Sequence, residues 1–190
     1  MQQNLVSPLS GPRRASWLAL LVAVSVAFTL GFACAVPFAG LGVAAALTLE
    51  KRDALLLTGA VWLANQLVGF AFLAYPWDAG TLIWGLVLGL VAVLTMLAAQ
   101  SLVRPLAGRN GFTVALAGFA GAFLVYEGLL FLVSATWLGG TEVFAPAIVA
   151  RILAINAACF VGLLVLHALG RAAGFIADPR LRFAAAPRSA

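Results

Sequence analysis

Glu127 sits in the middle of "LVYEGLLFL", residues 124–132, whose other members suit a lipid interior. A charge near the centre of a bilayer costs roughly 2.5–3.5 kcal/mol even on the mildest insertion scales. Something must therefore compensate this carboxylate. Arg151 is the natural partner by sequence. Taking Gly140 as the centre of the connection between them, Glu127 lies thirteen residues before it and Arg151 eleven after. On two antiparallel helices these positions fall at nearly the same depth. Three chemistries fit such a pair. The two charges satisfy each other and clip two helices together, or they line a cavity open to the outside and bind a polar solute, or Glu127 carries a proton.

Other polar groups join them inside apolar runs. Asn65 and Gln66 follow Trp62 in "VWLANQLVGF", and Trp62, Asn65, Gly69 and, one position round, Gln66 share a helical face. An aromatic, an amide and a glycine together read as a pocket wall, or as ordinary interhelical hydrogen bonding. Tyr126 precedes Glu127, and Asn156 falls near mid-depth. His167 is the only histidine and is expected to cap a helix end or bond a backbone carbonyl. Cys159 reads as a small apolar filler. Catalysis is not expected. The chain has no paired-carboxylate motif, no nucleophile–histidine pair and no metal-ligand spacing around Cys34 or Cys159, so neither a metal nor a cofactor is implied.

The elements that must position these residues are membrane helices. Of 190 residues, 64% are hydrophobic and 9% charged, against about a quarter charged in soluble domains. Apolar segments run over 17–49, 54–74, 80–103, 113–135 and 145–169, and a crossing needs about 20 residues. The first segment is too long for one crossing and short for two. Gly31, Pro37, Gly40 and Gly42 mark a break within it. The basic residues decide how it is divided. If 17–49 goes across and returns, Arg13, Arg14, Lys51, Arg52, Arg104, Arg109, Arg171, Arg180, Arg182 and Arg188 share one face, ten of the eleven in the chain. That satisfies the positive-inside rule. The net charge of +5 then records orientation, and no nucleic-acid partner is implied.

The expectation is an all-α, polytopic six-helix transmembrane bundle, with both termini cytoplasmic and the second helix short or partly re-entrant. Residues 1–16 and 174–190 form cytoplasmic tails around a membrane domain at 17–173, and the basic C-terminal tail lies against anionic lipid. The N-terminal stretch lacks the cleavage pattern of a removed signal. Three short connections face outward, "CAVPFAG", "YPWDAG" and "TWLGGTEVF", bringing Cys34, Tyr75, Trp77 and Trp137 to the surface with Trp84 nearby. Their aromatics read as an interfacial belt or as a lid over a pocket.

Small residues form stripes at helical spacing: Ala19, Ala23 and Ala27; Gly85 and Gly89; and Ala115, Gly118 and Ala122. Such stripes let backbones approach closely. The first, in "RRASWLALLVAVSVA", lies on a helix next to the basic N-terminal tail and at the expected edge of the bundle.

A chain of this length, with six helices, cytoplasmic termini and Ala19-xxx-Ala23-xxx-Ala27 on helix one, resembles the substrate-binding S components of energy-coupling-factor vitamin transporters. The resemblance covers the whole chain in architecture, but in specific sequence only the alanine stripe and its preceding "RRAS". It implies that Ala19, Ala23 and Ala27 dock onto a transmembrane coupling subunit that works with a pair of ATPases. It also implies a vitamin-like solute bound from outside by Cys34, Asn65, Gln66, Tyr75, Trp77, Tyr126, Glu127 and Arg151. Arg151 would suit a carboxylate or phosphate, and the aromatics a flat ring. Small solitary members of this class use a cysteine toward cobalt, but Cys34 does not align with that role. The setting implied is a bacterial cytoplasmic membrane. The competing expectation is a non-transporting assembly factor or accessory subunit of a larger membrane complex, held by the same small-residue stripes.

Overall fold

A computed structural model describes residues 11–31, 36–106 and 109–174. Cys34 and the C-terminal tail from residue 175 lie outside the described residues. The architecture is the expected all-α bundle, with six α-helices and no strand among the described residues: α1 (Gly11–Gly31), α2 (Phe38–Thr48), α3 (Lys51–Phe72), α4 (Ala79–Val103), α5 (Gly111–Val133) and α6 (Pro146–Ala172). Four helical stretches are long and apolar enough to cross a membrane: Lys51–Phe72, Ala79–Leu106, Gly111–Leu138 and Pro146–Ala172.

The short second helix sits at the centre. Its 11 residues extend about 16 Å at 1.5 Å per residue, roughly half of a ~30 Å hydrocarbon core. Every residue from Phe38 to Ala45 is buried, and α2 packs against α3, α4, α5 and α6. Its sequence, "FAGLGVAAALT", is apolar all round, as a helix enclosed on every side must be. Glycines allow the close fit. A Cβ on Gly40 would overlap the backbone carbonyl of Asn156 on α6. One on Gly42 would lie 3.2 Å from the Met96 Cα on α4.

The start of α2 is buried, so its free N–H groups need partners other than water. Pro37 precedes the helix and provides no side-chain cap. Asn156 supplies one from α6. The Gly40 N–H donates to Asn156 Oδ1 at 3.0 Å, and Asn156 Nδ2 donates to the Ile152 carbonyl at 3.0 Å. Both ends of the amide are thereby used, in a residue only 1% exposed.

One end of the bundle is basic. Arg14, near the start of α1, pairs with Asp53, near the start of α3; its Nε donates to Asp53 Oδ2 at 2.9 Å and its Nη2 bonds Oδ1. These helices therefore begin at the same end, and α2 runs back between them. The Trp17 and His167 rings meet edge to face at 6.2 Å, which brings the last part of α6, with Arg171, to that end too. Lys51 and Arg52 are exposed beside Asp53.

A Cβ at Gly40 has nowhere to go, whereas at Gly128 on α5 it would meet nothing within 4 Å. Gly40→Ala is expected to destabilise the purified protein by at least about 2 kcal/mol through backbone overlap, with Gly128→Ala neutral or stabilising. Asn156→Leu should cost about 1–3 kcal/mol for the donor it orphans. Equilibrium unfolding in detergent checks all three.

Candidate solute face and docking face

Glu127 lies on α5 with its side chain half-buried. Both carboxylate oxygens are shielded, and neither has a hydrogen-bond partner. The expected pairing with Arg151 is not made: no ion pair or hydrogen bond joins them, and Arg151 is exposed on α6. The two positions are level only if the arms on either side of Gly140 are equally helical. They are not. The α5 arm continues through a π-turn, Ser134–Leu138, so eleven helical positions separate Glu127 from Leu138. The other arm uses Thr141–Phe144 in a 3₁₀ turn and starts α6 only at Pro146. Glu127 is thus about 16 Å below its helix end and Arg151 about 8 Å below its own, at 1.5 Å per residue. Helices α5 and α6 are also poor neighbours, since α5 packs mainly on α4 and then α2, and α6 mainly on α2. They meet through the stacked rings of Phe119 and Phe160, 5.3 Å apart.

The face of Trp62, Gln66 and Gly69 is closed by the protein itself. Trp62 Nε1 donates to the Gly85 carbonyl at 2.8 Å, and its indole lies over Gly89. Gln66 Oε1 approaches to 2.8 Å of the position a Gly85 Cβ would take. The large side chains of α3 therefore fill the glycine groove of α4. Asn65 is buried on the adjacent face of α3.

At the far end of α3 the chain folds back. The Tyr75 ring covers Gly69, where a Cβ would collide with it. The Tyr75 N–H donates to the Gly69 carbonyl at 3.1 Å, and Ala74 takes a left-handed φ of 52° to make the turn. Phe70 lies edge-on to Tyr75 at 6.0 Å and tilted against Trp77 at 4.4 Å. Trp77 is 77% exposed, as an interfacial anchor would be. Of the predicted solute residues, Gln66, Tyr75 and Trp77 thus gather along one end of α3. Tyr126 is buried on α5. Glu127 and Arg151 share no bond with that group or with each other.

The small-residue stripes separate into two kinds. Gly85 and Gly89 face α3, as described above. On α5, Gly118 meets Val103 of α4 and Val43 of α2, and Ala122 is buried. Ala19, Ala23 and Ala27 on α1 are instead all exposed. Helix α1 packs on α3 and lightly on α6, and turns this face outward.

Two structural residues had signals that sequence left unassigned. Asn156 is an amide at mid-depth with a role only once α2 is beside it. Asp53, the acidic residue in the first turn of α3, finds Arg14 across the bundle. His167 does not show the carbonyl bond expected of it at Nδ1, which has no partner. Cys159 is fully buried, as a filler should be.

Comparison with protein families, curated proteins and solved structures finds no match to this chain.

Because Glu127 and Arg151 act separately, their substitutions should add. A double-mutant cycle of Glu127→Gln and Arg151→Gln, read as unfolding free energy in detergent, is expected to give coupling within about 0.5 kcal/mol of zero. A coupling above about 1.5 kcal/mol would restore the ion pair.

Proposed function

We propose that the chain is a membrane-embedded, non-enzymatic subunit that docks through α1 onto a transmembrane partner and binds a vitamin-like solute for uptake. The observation that carries this reading is the contrast among the three stripes. Two of them, on α4 and α5, are filled by neighbouring helices. The third, at Ala19, Ala23 and Ala27, is complete and uncovered. Lipid tails gain little from a smooth alanine face, whereas a second helix gains close backbone approach. The resemblance to S components gives that face its partner, a coupling subunit driven by a pair of ATPases. The positive-inside rule puts the basic end in the cytoplasm, and with it both termini. A bacterial cytoplasmic membrane is the setting. Solute then enters from the opposite end, where Gln66, Tyr75 and Trp77 gather, with Tyr126, Glu127 and Arg151 on α5 and α6.

The accessory-subunit reading keeps the same docking face without a solute. The closure of the Trp62–Gln66 face against α4 favours it. Native mass spectrometry of the gently solubilised complex separates the two, because solute binding predicts a small molecule on the chain as well as a partner.

The docking face has its own test. Ala23→Leu should leave the stability of the isolated chain within about 0.5 kcal/mol, as exposed substitutions do, and should abolish co-purification of the partner. Retention of the partner by an Ala19→Leu/Ala23→Leu double variant would remove α1 as the docking surface.

A further inference from the structure

Behind the alanine face, α1 seals a small cavity. Trp17 is 3% exposed and lies two residues before Ala19, roughly on the opposite side of the helix at about 100° per residue. With Leu21 it forms one wall; Leu41 and Thr48 of α2, Leu57 of α3 and His167 of α6 form others. The cavity, ≈ 10 Å³, is just large enough for one water. Three residues with polar side-chain atoms line it. Trp17 Nε1–H is a buried donor without a partner, and His167 Nδ1 is likewise unpartnered. Thr48 Oγ1 donates to the Ala44 carbonyl at 2.6 Å, which leaves its lone pairs free to accept. The Trp17 and His167 rings meet edge to face across the cavity, 6.2 Å between centroids.

We propose that this cavity is an ordered-water site joining α1 to α2 and α6. The water accepts from Trp17 Nε1–H and donates to His167 Nδ1 and Thr48 Oγ1. Three hydrogen bonds are the usual complement of a buried water, and the arrangement uses each group in the sense its chemistry allows. His167 is then the Nε2–H tautomer, with its Nδ1 lone pair turned to the water. An apolar occupant fits the volume but leaves a buried indole N–H unsatisfied, at a cost that native interiors rarely bear. The site adds a second polar fastening for α1 at the basic end, beside the Arg14–Asp53 pair, and it lies directly behind the face proposed to meet a partner.

Indole N–H resonances of the ¹⁵N-labelled chain in nanodiscs test the site, with Trp17→Phe assigning the Trp17 signal. The Trp17 Nε1–H is expected to show a direct cross-relaxation peak at the water frequency. Trp62 Nε1–H, bonded to the Gly85 carbonyl, should show none and serves as the internal control. His167→Leu and Thr48→Val should each reduce the Trp17 peak at least several-fold. Trp17→Phe, which keeps an aromatic side chain but loses the indole N–H, should shift the His167 Nδ1 resonance and leave the fold intact. A Trp17 signal as silent as that of Trp62 overturns the proposal. So does a water peak that persists unchanged in both His167→Leu and Thr48→Val.

Discussion

A helix that begins inside a membrane protein, away from water, must find partners for its first N–H groups within the protein. Here that helix is α2, and its demand on Asn156 organises the bundle. The Gly40 N–H and the Asn156 amide fix α2 against α6 in register, and Gly40 lets the two backbones touch. Gly42 does the same toward α4 two residues on, and Val43 reaches Gly118 of α5. A half-length helix with small residues on several sides becomes the hub on which longer helices rest. Without the cap its N-terminus would stand unsatisfied at low dielectric, where an unpaired backbone donor is most costly.

With α2 at the centre, the remaining helices are assigned their faces. Helix α6 spends its packing surface on α2, α5 divides its own between α4 and α2, and the two touch one another through the Phe119–Phe160 stack. Helix α4 receives Trp62 and Gln66 of α3 into its glycine groove. Helix α1 is left at the edge. It leans on α3, is pinned by the Arg14–Asp53 pair at the basic end, and keeps its alanines outward. Two charges that share two hydrogen bonds there are better compensated than either would be alone in lipid.

The sequence announced the helices and the break before α2, because apolar run length and clustered Gly and Pro are local signals. The return of the chain across the bundle was legible from the basic residues, and the Arg14–Asp53 pair places residues 14 and 53 at one end, as that reading requires. Contacts between elements were less legible. Trp62 with Gln66, and Gly85 with Gly89, were each visible as unusual faces, but nothing local says that one fills the other. Asn156 acquires a purpose only from a helix 116 positions earlier. The Glu127–Arg151 pair failed for a narrower reason. Depth follows helical rise and not residue number, and the connection through Thr141–Phe144 takes up residues before α6 begins at Pro146.

The two separated charges differ in how they are compensated. Arg151 lies about 8 Å from the end of α6, and its long side chain is exposed, so it can extend its guanidinium to the headgroup region. Lipid and water account for it. Glu127 has no such escape. It lies about 16 Å below the end of its helical arm, on a side chain two atoms shorter in reach, and its oxygens are shielded from solvent without a hydrogen-bond partner. The other described cations, Arg14, Lys51, Arg52, Arg104, Arg109 and Arg171, fall at or near the helix ends on the basic side or in the connections there. Under the proposed solute reading, the weight at that end of the bundle falls on the carboxylate more than on the arginine. The chemistry that would complement it is a hydrogen-bond donor or cation, and not the carboxylate or phosphate that an arginine-centred site would select.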